Sequence, residues 1–359
     1  MHKILIIITT AFVPTGGLTT VMMNYYRKLN KEGLQIDFAS TNEAPSVLSD
    51  ELAQNGSIYY NLNKRSHLLT YFIKLYSACK KYNIVHINSN SATAALELLA
   101  AKLAGVKKRI VHNHNSKTEH PYINAMMFPL FKRLYTISIA CSKDAGNWLF
   151  GKDNFIVLRN AIDTDKFKFN SLFRETYRKE WNIPSNSFVI GHVGKYNAQK
   201  NHQKLLEIFY EYQKKHTEAR LLCVGYGPLR NELEKTIIQL NLQGKVILTG
   251  ERTDIPGFLS AMDVFVFPSL WEGLPLSVVE AFASGLPCVL SNRISQEVHL
   301  CSNMCSLSIE DSSSMWAETI DKLDFAERGK RCEQNIQSIT DAGYNITTET
   351  ERLRQLYIK

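Results

Sequence analysis

The sequence has 359 residues, of which 45% are hydrophobic and 21% charged, and its formal net charge is +8 at pH 7. This length and apolar content are enough for two domains of ordinary size, each with its own core. No stretch approaches the roughly 18 unbroken apolar residues of a transmembrane helix. The apolar run near the amino terminus is short and lacks a convincing signal-peptide cleavage site, so we expect no export.

The excess of positive charge lies entirely in the first half of the chain. Residues 1–165 contain 19 Lys and Arg against 11 Asp and Glu, whereas residues 166–359 contain 23 of each. A basic half favours an anionic substrate or an anionic surface. The sequence has no nucleic-acid-binding motif, so we predict no nucleic-acid partner.

Strand-like and helix-like stretches alternate along the first half. Apolar runs predict strands at residues 3–9, 36–40, 58–62, 84–88, 109–112 and 137–141, and helical patterns cover 19–30, 67–81 and 93–104. This alternation predicts βαβ units with a parallel sheet. Gly16 and Gly17 follow the first strand as a tight turn or a ligand-binding loop. The G-x-G-x-x-G fingerprint is absent there, which argues against a nicotinamide cofactor.

Two histidines stand at the end of the predicted fifth strand. His112 and His114 are two residues apart, so their side chains share one face of the strand. Ligands bind at this edge of a parallel sheet. Both histidines can face a ligand, or one can pack in the sheet while only the other is functional.

The stretch at residues 121–135 is rich in Met and aromatic residues at helical spacing. Such a helix usually packs in a core, and we favour that interpretation. The alternative is an interfacial patch that contacts anionic lipid. The cations that would supply attraction are Lys107, Lys108, Arg109, Lys132 and Arg133.

Seven cysteines are scattered along the chain without a C-x2-C pair. Cys141, Cys223 and Cys288 lie in apolar runs and are expected to be buried free thiols. His299, Cys301 and Cys305 are close in sequence but lack a second ligand pair. We therefore predict no structural zinc.

The strand pattern restarts in the second half, with predicted strands at residues 188–195, 219–224, 245–250, 263–267 and 287–291. Lys195 and Lys200 come after the first of these strands. Cations at that place can neutralise a diphosphate, or they can belong to an ordinary solvated loop. Gly225 and Gly227 follow the second strand and allow a tight turn.

A strand, a loop and a helix in this half have the features of an anion site. The strand at 263–267 precedes a loop that leads into a helix at 276–283. The loop contains Trp271, Glu272, Gly273, Leu274 and Pro275. Amides at the start of such a helix bind phosphates, Gly273 permits close backbone approach, and Pro275 suits the first helical position. Glu272 and Glu280 can both face the ligand, although each alone also fits a solvated or dipole-stabilised glutamate.

The segment from Glu272 to Glu280 resembles the E-x7-E motif of retaining GT-B glycosyltransferases of family 4. The resemblance covers essentially the whole chain, and residues 140–151 resemble the subgroup that builds bacterial capsule and exopolysaccharide. It implies an α/β fold of two Rossmann-like, doubly wound parallel-sheet domains facing a deep cleft. An acceptor-binding domain would span 1–165, a nucleotide-sugar-binding domain 186–345, and a last helix at 346–359 would cross back to the first domain.

The resemblance also implies roles for individual residues. His114, with His112 as the alternate, would contact the transferred sugar, Glu272 would orient it, and Lys200 would stabilise the leaving diphosphate. These three are the predicted catalytic residues. The predicted donor-binding residues are Gly16, Gly17, Lys195, Lys200, Gly225, Gly227, Arg252, Glu272, Gly273, Leu274, Pro275, Leu276 and Glu280. Family members commonly have Arg where Lys195 stands, and a lysine cannot bind phosphate in a bidentate manner.

The implied activity is retaining transfer of a hexosyl or N-acetylhexosaminyl group in capsular or exopolysaccharide biosynthesis. The donor would be a nucleotide-diphosphate sugar, with UDP favoured, and the acceptor a lipid-diphosphate-linked or other saccharide. No metal or other cofactor is expected. The expected location is cytoplasmic, with peripheral contact to the inner face of the plasma membrane as an option. Three alternatives remain: a GT-B nucleotide-sugar epimerase, a noncatalytic partner subunit of a glycosyltransferase complex, and a two-domain sugar-binding receptor. The receptor would need export, which the amino-terminal sequence does not support.

Overall fold

The computed structural model of this protein describes residues 1–118, 120–272, 274–300 and 304–359, so Gly273 and Cys301 lie outside the described residues. The described chain divides into two compact units. The amino-terminal unit consists of Met1–Ala161 together with Ile346–Lys359, and the carboxy-terminal unit consists of Ile162–Asn345. No helix in these described ranges is long and apolar enough to cross a membrane.

The amino-terminal unit contains a parallel sheet. Its strands are β1 (His2–Ile8), β2 (Leu34–Ser40), β3 (Tyr59–Asn61), β4 (Ile84–Ser89), β5 (Lys108–Asn113), β6 (Ile137–Ala140) and β7 (Ile156–Val157). The helices between them are α1 (Gly17–Lys28), α2 (Ser46–Gln54), α3 (Leu68–Cys79), α4 (Ala95–Leu103), α5 (Pro121–Phe131) and α6 (Lys143–Phe150). The strand order is β3-β2-β1-β4-β5-β6-β7. The apolar run of β1 from Ile4 to Ile8 is buried because both faces of a parallel sheet are covered.

The carboxy-terminal unit repeats this architecture. Its strands are β8 (Val189–Val193), β9 (Arg220–Val224), β10 (Val246–Leu248), β11 (Val264–Phe267), β12 (Cys288–Ser291) and β13 (Met304–Leu307). Its helices are α7 (Thr164–Phe167), α8 (Ser171–Glu180), α9 (His202–Gln213), α10 (Arg230–Gln239), α11 (Ile255–Ala261), α12 (Leu276–Ala283), α13 (Ser313–Asp321) and α14 (Arg328–Asp341). The strands pair in parallel in the order β10-β9-β8-β11-β12-β13. The unit includes residues 162–185, which precede the predicted boundary, because α8 packs against α11.

The last helix, α15 (Ile346–Ile358), belongs to the amino-terminal unit. The hydroxyl of Tyr357 lies 2.7 Å from Nδ1 of His86 in β4, and both side chains are fully buried. Near the start of the helix, Oε2 of Glu349 accepts a hydrogen bond from the backbone N–H of Arg159 at 3.1 Å. Burial and hydrogen bonding therefore tie both ends of α15 to the first sheet.

Helix α5 departs from the expected core position. Among its residues only Phe131 is buried, whereas Tyr122 is 90% exposed and Met126 75% exposed. The apolar side chains surround α5 instead of forming one stripe, so a single packed side cannot bury them all. The side of α5 that packs on the unit makes two contacts. Phe131 stacks on Phe150, and Oδ1 of Asn124 accepts a hydrogen bond from the N–H of Ala92 at 2.8 Å. The core interpretation is wrong for α5.

The expected burial of three cysteines is confirmed. Cys141, Cys223 and Cys288 are all buried. The described ranges contain no group of three or more His, Cys, Asp or Glu side chains placed to hold a metal ion.

Candidate active site

The topology of the carboxy-terminal sheet creates a ligand-binding position between two neighbouring strands. Strands β8 and β11 lie side by side, and the chain continues from β8 towards β9 and β10 but from β11 towards β12 and β13. Loops that leave the carboxyl ends of two such strands diverge and open a crevice. Lys200 follows β8 and Glu272 follows β11, so both belong to this crevice.

Lys200 and Glu272 form an ion pair in this position. Nζ of Lys200 lies 2.7 Å from Oε1 of Glu272, and the two side chains are only 15% and 10% exposed. The same ammonium lies 4.5 Å from the centre of the Phe267 ring at the end of β11. An ion pair that is largely shielded from water interacts more strongly than a surface pair. The structure thus brings together two of the three predicted catalytic residues.

Two asparagines that the sequence reasoning missed hold the loop that carries Lys200. Oδ1 of Asn197 accepts a hydrogen bond from the backbone N–H of Lys200 at 3.1 Å. Asn201 adopts a left-handed conformation, with φ of 53°, and its Nδ2 donates to the carbonyl of Pro268 at 3.2 Å. An Asn three residues before Lys200 is a recognisable capping signal, and Asn tolerates positive φ better than most residues.

The loops after β8 and β11 are also joined directly. The backbone N–H of Leu270 donates to the carbonyl of Gln199 at 2.8 Å, and Nε2 of Gln199 donates to the carbonyl of Trp271 at 3.0 Å. Glu272 forms a parallel bridge with Ile294. The Lys200–Glu272 pair is therefore held by backbone contacts from both sides.

Gly225 and Gly227 are required by the close approach of two backbones. A Cβ atom on Gly225, whose φ is +151°, would lie 2.0 Å from the carbonyl oxygen of Gly194. A Cβ atom on Gly227 would lie 2.3 Å from the carbonyl oxygen of Tyr196. The N–H of Tyr196 donates to the carbonyl of Tyr226 at 2.8 Å. The glycines thus shape the loop after β8.

Glu280 lies in the second turn of α12 and is buried. Desolvation raises the pKa of its carboxyl from 4.5 to about 7. A buried carboxyl near half protonation can accept hydrogen bonds from ligand hydroxyls at little further desolvation cost. The interpretation of Glu280 as a first-turn glutamate stabilised by the helix dipole does not hold, because α12 has no acidic residue in its first turn.

The other predicted residues of this unit occupy varied positions. Pro275 is the residue just before the helix, so Leu276 and not Pro275 takes the first helical position. Leu274 is buried and Lys195 is exposed. Arg252 forms two hydrogen bonds with the Asp254 carboxylate, at 2.9 and 2.6 Å, and no described contact joins it to the Lys200–Glu272 pair.

Three predicted residues, Gly16, Gly17 and His114, belong to the amino-terminal unit. Gly16 precedes α1 and Gly17 begins it; both have negative φ, and a Cβ on Gly17 would meet nothing within 4 Å. His114 follows β5 and is buried. Its Nδ1 lies 3.0 Å from the side-chain oxygen of Asn160 and its Nε2 lies 2.9 Å from that of Asn88.

Desolvation lowers the pKa of His114 to about 4, so its ring is neutral at pH 7. A neutral ring donates only one hydrogen bond, so one of the two asparagines must present its amide N–H₂. His112 is more deeply placed: its ring centre lies 4.0 Å from that of the tilted His114 ring, and it stacks on the His86 ring at 5.5 Å. Burial lowers its pKa as well. His112 is thus a core residue of the sheet, and His114 is the outer member of the pair.

Comparison with solved structures identifies the fold class. The crystal structure of Anabaena Alr3699/HepE in complex with UDP and glucose matches with a TM-score of 0.81 at 17% sequence identity, covering 98% of both chains. Two Rossmann-like parallel-sheet units of this kind define the GT-B glycosyltransferase fold.

Comparison of sequences identifies the family. Residues 15–166 match the model described as Glycosyltransferase Family 4, and residues 173–337 match Glycosyl transferases group 1. The putative glycosyltransferase EpsF of Bacillus subtilis (strain 168) is 33% identical over 94% of this chain and 96% of its own. The UDP-Gal:alpha-D-GlcNAc-diphosphoundecaprenol alpha-1,3-galactosyltransferase of Escherichia coli is 31% identical over 80% of this chain and 78% of its own. These matches show that the chain belongs to the glycosyltransferase family that the two models describe.

Proposed function

We propose that this protein transfers a hexosyl or N-acetylhexosaminyl group from a UDP-linked donor to a lipid-diphosphate-linked saccharide, with retention of configuration at the anomeric carbon. The setting would be the cytoplasmic side of capsule or exopolysaccharide assembly. The observation that carries the proposal is the shielded Lys200–Glu272 pair at the crevice between β8 and β11. The Escherichia coli relative is named for a UDP-Gal donor and a diphosphoundecaprenol acceptor, which supports this choice of substrates.

The donor diphosphate would lie at the start of α12. The backbone N–H groups of Leu276 and Ser277 begin this helix without an acidic residue in its first turn, so they are suited to an anion. Glu280, one turn further, would accept hydrogen bonds from the ribose hydroxyls. Lys200 would contribute the positive charge that stabilises the leaving diphosphate, with no metal in the step.

The Lys200–Glu272 pair gives the two residues a shared role in donor binding. A diphosphate offers Lys200 more negative charge than a single carboxylate does, so the ammonium would move towards the phosphates. Glu272 would then be free to accept hydrogen bonds from hydroxyls of the transferred sugar. As the bond to the diphosphate lengthens and the sugar becomes oxocarbenium-like, the acceptor hydroxyl would attack from the face of the leaving group.

For His114 we propose the role that the family resemblance implies, contact with the transferred sugar. The ring is neutral at pH 7 and can donate one hydrogen bond to a hydroxyl if an asparagine partner releases it. Gly16 and Gly17 are proposed to bind the donor as well. The start of α1 has room at Gly17, where an added Cβ atom would meet nothing within 4 Å.

Two variants separate the proposed roles of the ion pair. Lys200→Ala should weaken UDP binding by roughly 10- to 100-fold, because a charge-assisted contact is lost, and lower kcat/KM by about 100-fold or more. Glu272→Ala should leave UDP binding intact or tighter, since the carboxylate no longer competes for Lys200, yet reduce sugar transfer by a similar factor. Calorimetric titration with UDP and a transfer assay over a panel of nucleotide sugars would measure both.

Lys235→Ala removes an exposed cation from α10 and serves as the matched control, with unchanged binding and turnover. Normal transfer by Glu272→Ala would remove Glu272 from the site. An epimerase would convert the nucleotide sugar without any acceptor, so product analysis in an acceptor-free reaction tests that alternative. A noncatalytic partner subunit would show no turnover with any donor in the panel.

A further inference from the structure

We propose that the amino-terminal unit binds an anionic lipid bilayer through the outer face of helices α3, α4 and α5. We call this surface the lipid face. Its exposed apolar side chains are Leu68, Leu69, Ile73, Leu103, Tyr122, Ile123, Met126 and Leu130. Because lipid binding needs no sugar substrate, this proposal stands or falls independently of the proposed transfer reaction.

The three helices form one continuous layer. Helix α3 packs against α4, and α4 packs against α5. Each contributes apolar side chains that point to solvent: Leu69 of α3 is 74% exposed, Leu103 of α4 is 60% exposed and Tyr122 of α5 is 90% exposed. Scattered exposed apolar residues need no explanation, but a group of them on three adjacent helices indicates a surface that binds a protein or a membrane.

Helix α5 is the most apolar element of the lipid face. Its sequence contains no charged residue, and two of its most apolar positions, Met126 and Leu130, are exposed. A helix that is apolar all round is normally buried on all sides. In the described chain only its Phe131 is buried, so most of its apolar surface is available to another apolar phase.

The charge around the lipid face is strongly one-sided. Residues 64–133 contain 12 Lys and Arg against two acidic residues, Glu97 and Glu119, an excess larger than the net charge of the whole chain. Within the described ranges, two of the twelve cations are paired. Glu97 is fully buried and its Oε1 accepts from Nε of Arg65 at 3.0 Å, and Nζ of Lys132 lies 3.0 Å from Oδ2 of Asp153. The other surface cations keep the charge of this region positive.

The cations are placed at the ends of the three helices. Lys80 and Lys81 follow α3, Lys102 and Lys107 lie at the end of α4 and just beyond it, and Lys132 and Arg133 follow α5. Helices that connect parallel strands run opposite to the strands, so these three ends share one edge of the unit. Apolar side chains bordered by Lys and Arg match the interface of a bilayer with anionic headgroups.

This charge pattern favours a bilayer over a second copy of the chain. Two copies facing each other through the lipid face would oppose like charges at its rim, which is unfavourable. A bilayer with anionic lipid instead attracts every one of these cations, by about fivefold in binding per Lys or Arg near the surface. The tyrosine at position 122 is also typical of membrane–water interfaces.

The test is sedimentation of the full chain with lipid vesicles. We expect binding to vesicles of phosphatidylcholine mixed with phosphatidylglycerol, weaker binding when salt is raised, and little binding to phosphatidylcholine alone. The double variant Tyr122→Ser/Met126→Ser should bind at least tenfold more weakly. The double variant Lys102→Ser/Lys107→Ser should bind the anionic vesicles roughly 20-fold more weakly at low salt, and its binding should depend less on salt concentration.

Matched controls come from the carboxy-terminal unit. Leu172→Ser/Met315→Ser removes two exposed apolar side chains, and Lys235→Ser/Lys322→Ser removes two exposed cations. Both should bind like the unaltered chain. All positions are exposed, so thermal unfolding should be unchanged in every variant, which separates lipid binding from misfolding.

Three results would overturn the proposal. The first is equal binding of the unaltered chain to both vesicle types. The second is that the control variants lose as much vesicle binding as the lipid-face variants do. The third is a dimer in light scattering that Tyr122→Ser/Met126→Ser converts to a monomer, because the face would then be covered by a second copy.

Discussion

The carboxyl of Glu280 illustrates how one buried side chain links stability to ligand binding. Its pKa is raised to about 7 by desolvation, whereas in the unfolded chain it is 4.5. Between these two values the folded protein keeps a proton that the unfolded chain has lost. The contribution of Glu280 to stability is therefore complete below pH 4.5 and is lost as the pH rises to about 7.

This shift predicts a pH-dependent difference between the protein and its Glu280→Gln variant. The free energy of unfolding of the unaltered chain should fall, relative to that of the variant, by roughly 3 kcal/mol between pH 4.5 and pH 8. Urea unfolding of both proteins over this range measures the difference. A constant difference across the range would show that Glu280 is not desolvated as described.

The comparison must use the variant because buried histidines act in the opposite direction. Desolvation lowers the pKa of His86, His114 and His192 to about 3 to 4, below the unfolded value of 6.5. Their contribution to stability is present above pH 6.5 and is lost as the pH falls. It is the same in both proteins, so it cancels in the difference.

Ligand binding gives a second readout at the same residue. Ribose hydroxyls that donate to Glu280 would favour its ionised form and lower its pKa. UDP binding near pH 7 should therefore release protons, seen as a heat that depends on the buffer's ionisation enthalpy. Glu280→Gln should reduce that dependence to the part that comes from the UDP phosphate itself.

The sequence marks Glu272, Glu280 and Lys200 as candidates, through the motif and the position of Lys200 after a strand, but it does not describe their contacts. The pairing of Lys200 with Glu272 at 2.7 Å depends on β8 and β11 being neighbours, which no local pattern specifies. The burial of Glu280 likewise comes from packing around α12 and not from its own sequence context.

At the scale of the element, the loop after β9 requires glycine at positions 225 and 227 for a reason that the sequence alone does not show. Two glycines predicted a tight turn, and the structure shows instead that the backbone of residues 194–196 passes directly over Gly225 and Gly227. A side chain at either position would have to displace that backbone. The loop that carries Lys200 would shift with it.

We therefore expect Gly227→Ala to lower the free energy of unfolding by about 3 kcal/mol and to weaken UDP binding, because backbone must move. Gly329→Ala is the matched control, since its added Cβ meets nothing within 4 Å and Ala favours a helix. The control substitution should leave the free energy of unfolding unchanged or raise it slightly. Equal stability of the two variants in chemical denaturation would contradict the close approach.

Element prediction succeeded best where the pattern was strongest. Helix α12 has the predicted bounds, Leu276–Ala283, because its apolar residues and the Gly285 signal agree. Helix α2 and strand β7 were not predicted: α2 buries only Leu48 and Leu52, and β7 has two residues. Helix α5 was predicted as an element but placed in the core, since composition alone does not distinguish an apolar helix inside a protein from one that is exposed on its surface.

At the scale of the whole molecule, the two units differ in continuity: the carboxy-terminal unit is one continuous segment, whereas the amino-terminal unit is made of two segments. Residues 162–345 contain their own sheet and a core that includes Ile190, Leu221 and Val264. The amino-terminal unit instead needs residues 346–359 to complete it. The Ile162–Asn345 bridge brings the two ends of the carboxy-terminal unit together.

This difference predicts unequal behaviour of the isolated pieces. A fragment of residues 162–345 should unfold cooperatively and, because it holds Lys200, Glu272 and Glu280, should bind UDP. A fragment of residues 1–161 should be much less stable, because the surface that buries Leu353 and Tyr357 of α15 is uncovered. Calorimetric unfolding of both fragments would measure this.

Joining residues 1–161 through a flexible linker to residues 346–359 provides the control and should restore cooperative unfolding. If the 1–161 fragment were as stable as the joined one, α15 would be dispensable to the unit.

The return of α15 also sets the order in which the protein can mature during synthesis. The amino-terminal unit is completed only after residues 162–345 have been made, because its closing helix follows them in the chain. A chain cut short just before Ile346, by premature termination or by trimming, would keep the carboxy-terminal unit but leave the first sheet uncovered. Such a product would expose apolar surface of the amino-terminal unit and should be degraded faster than the intact chain.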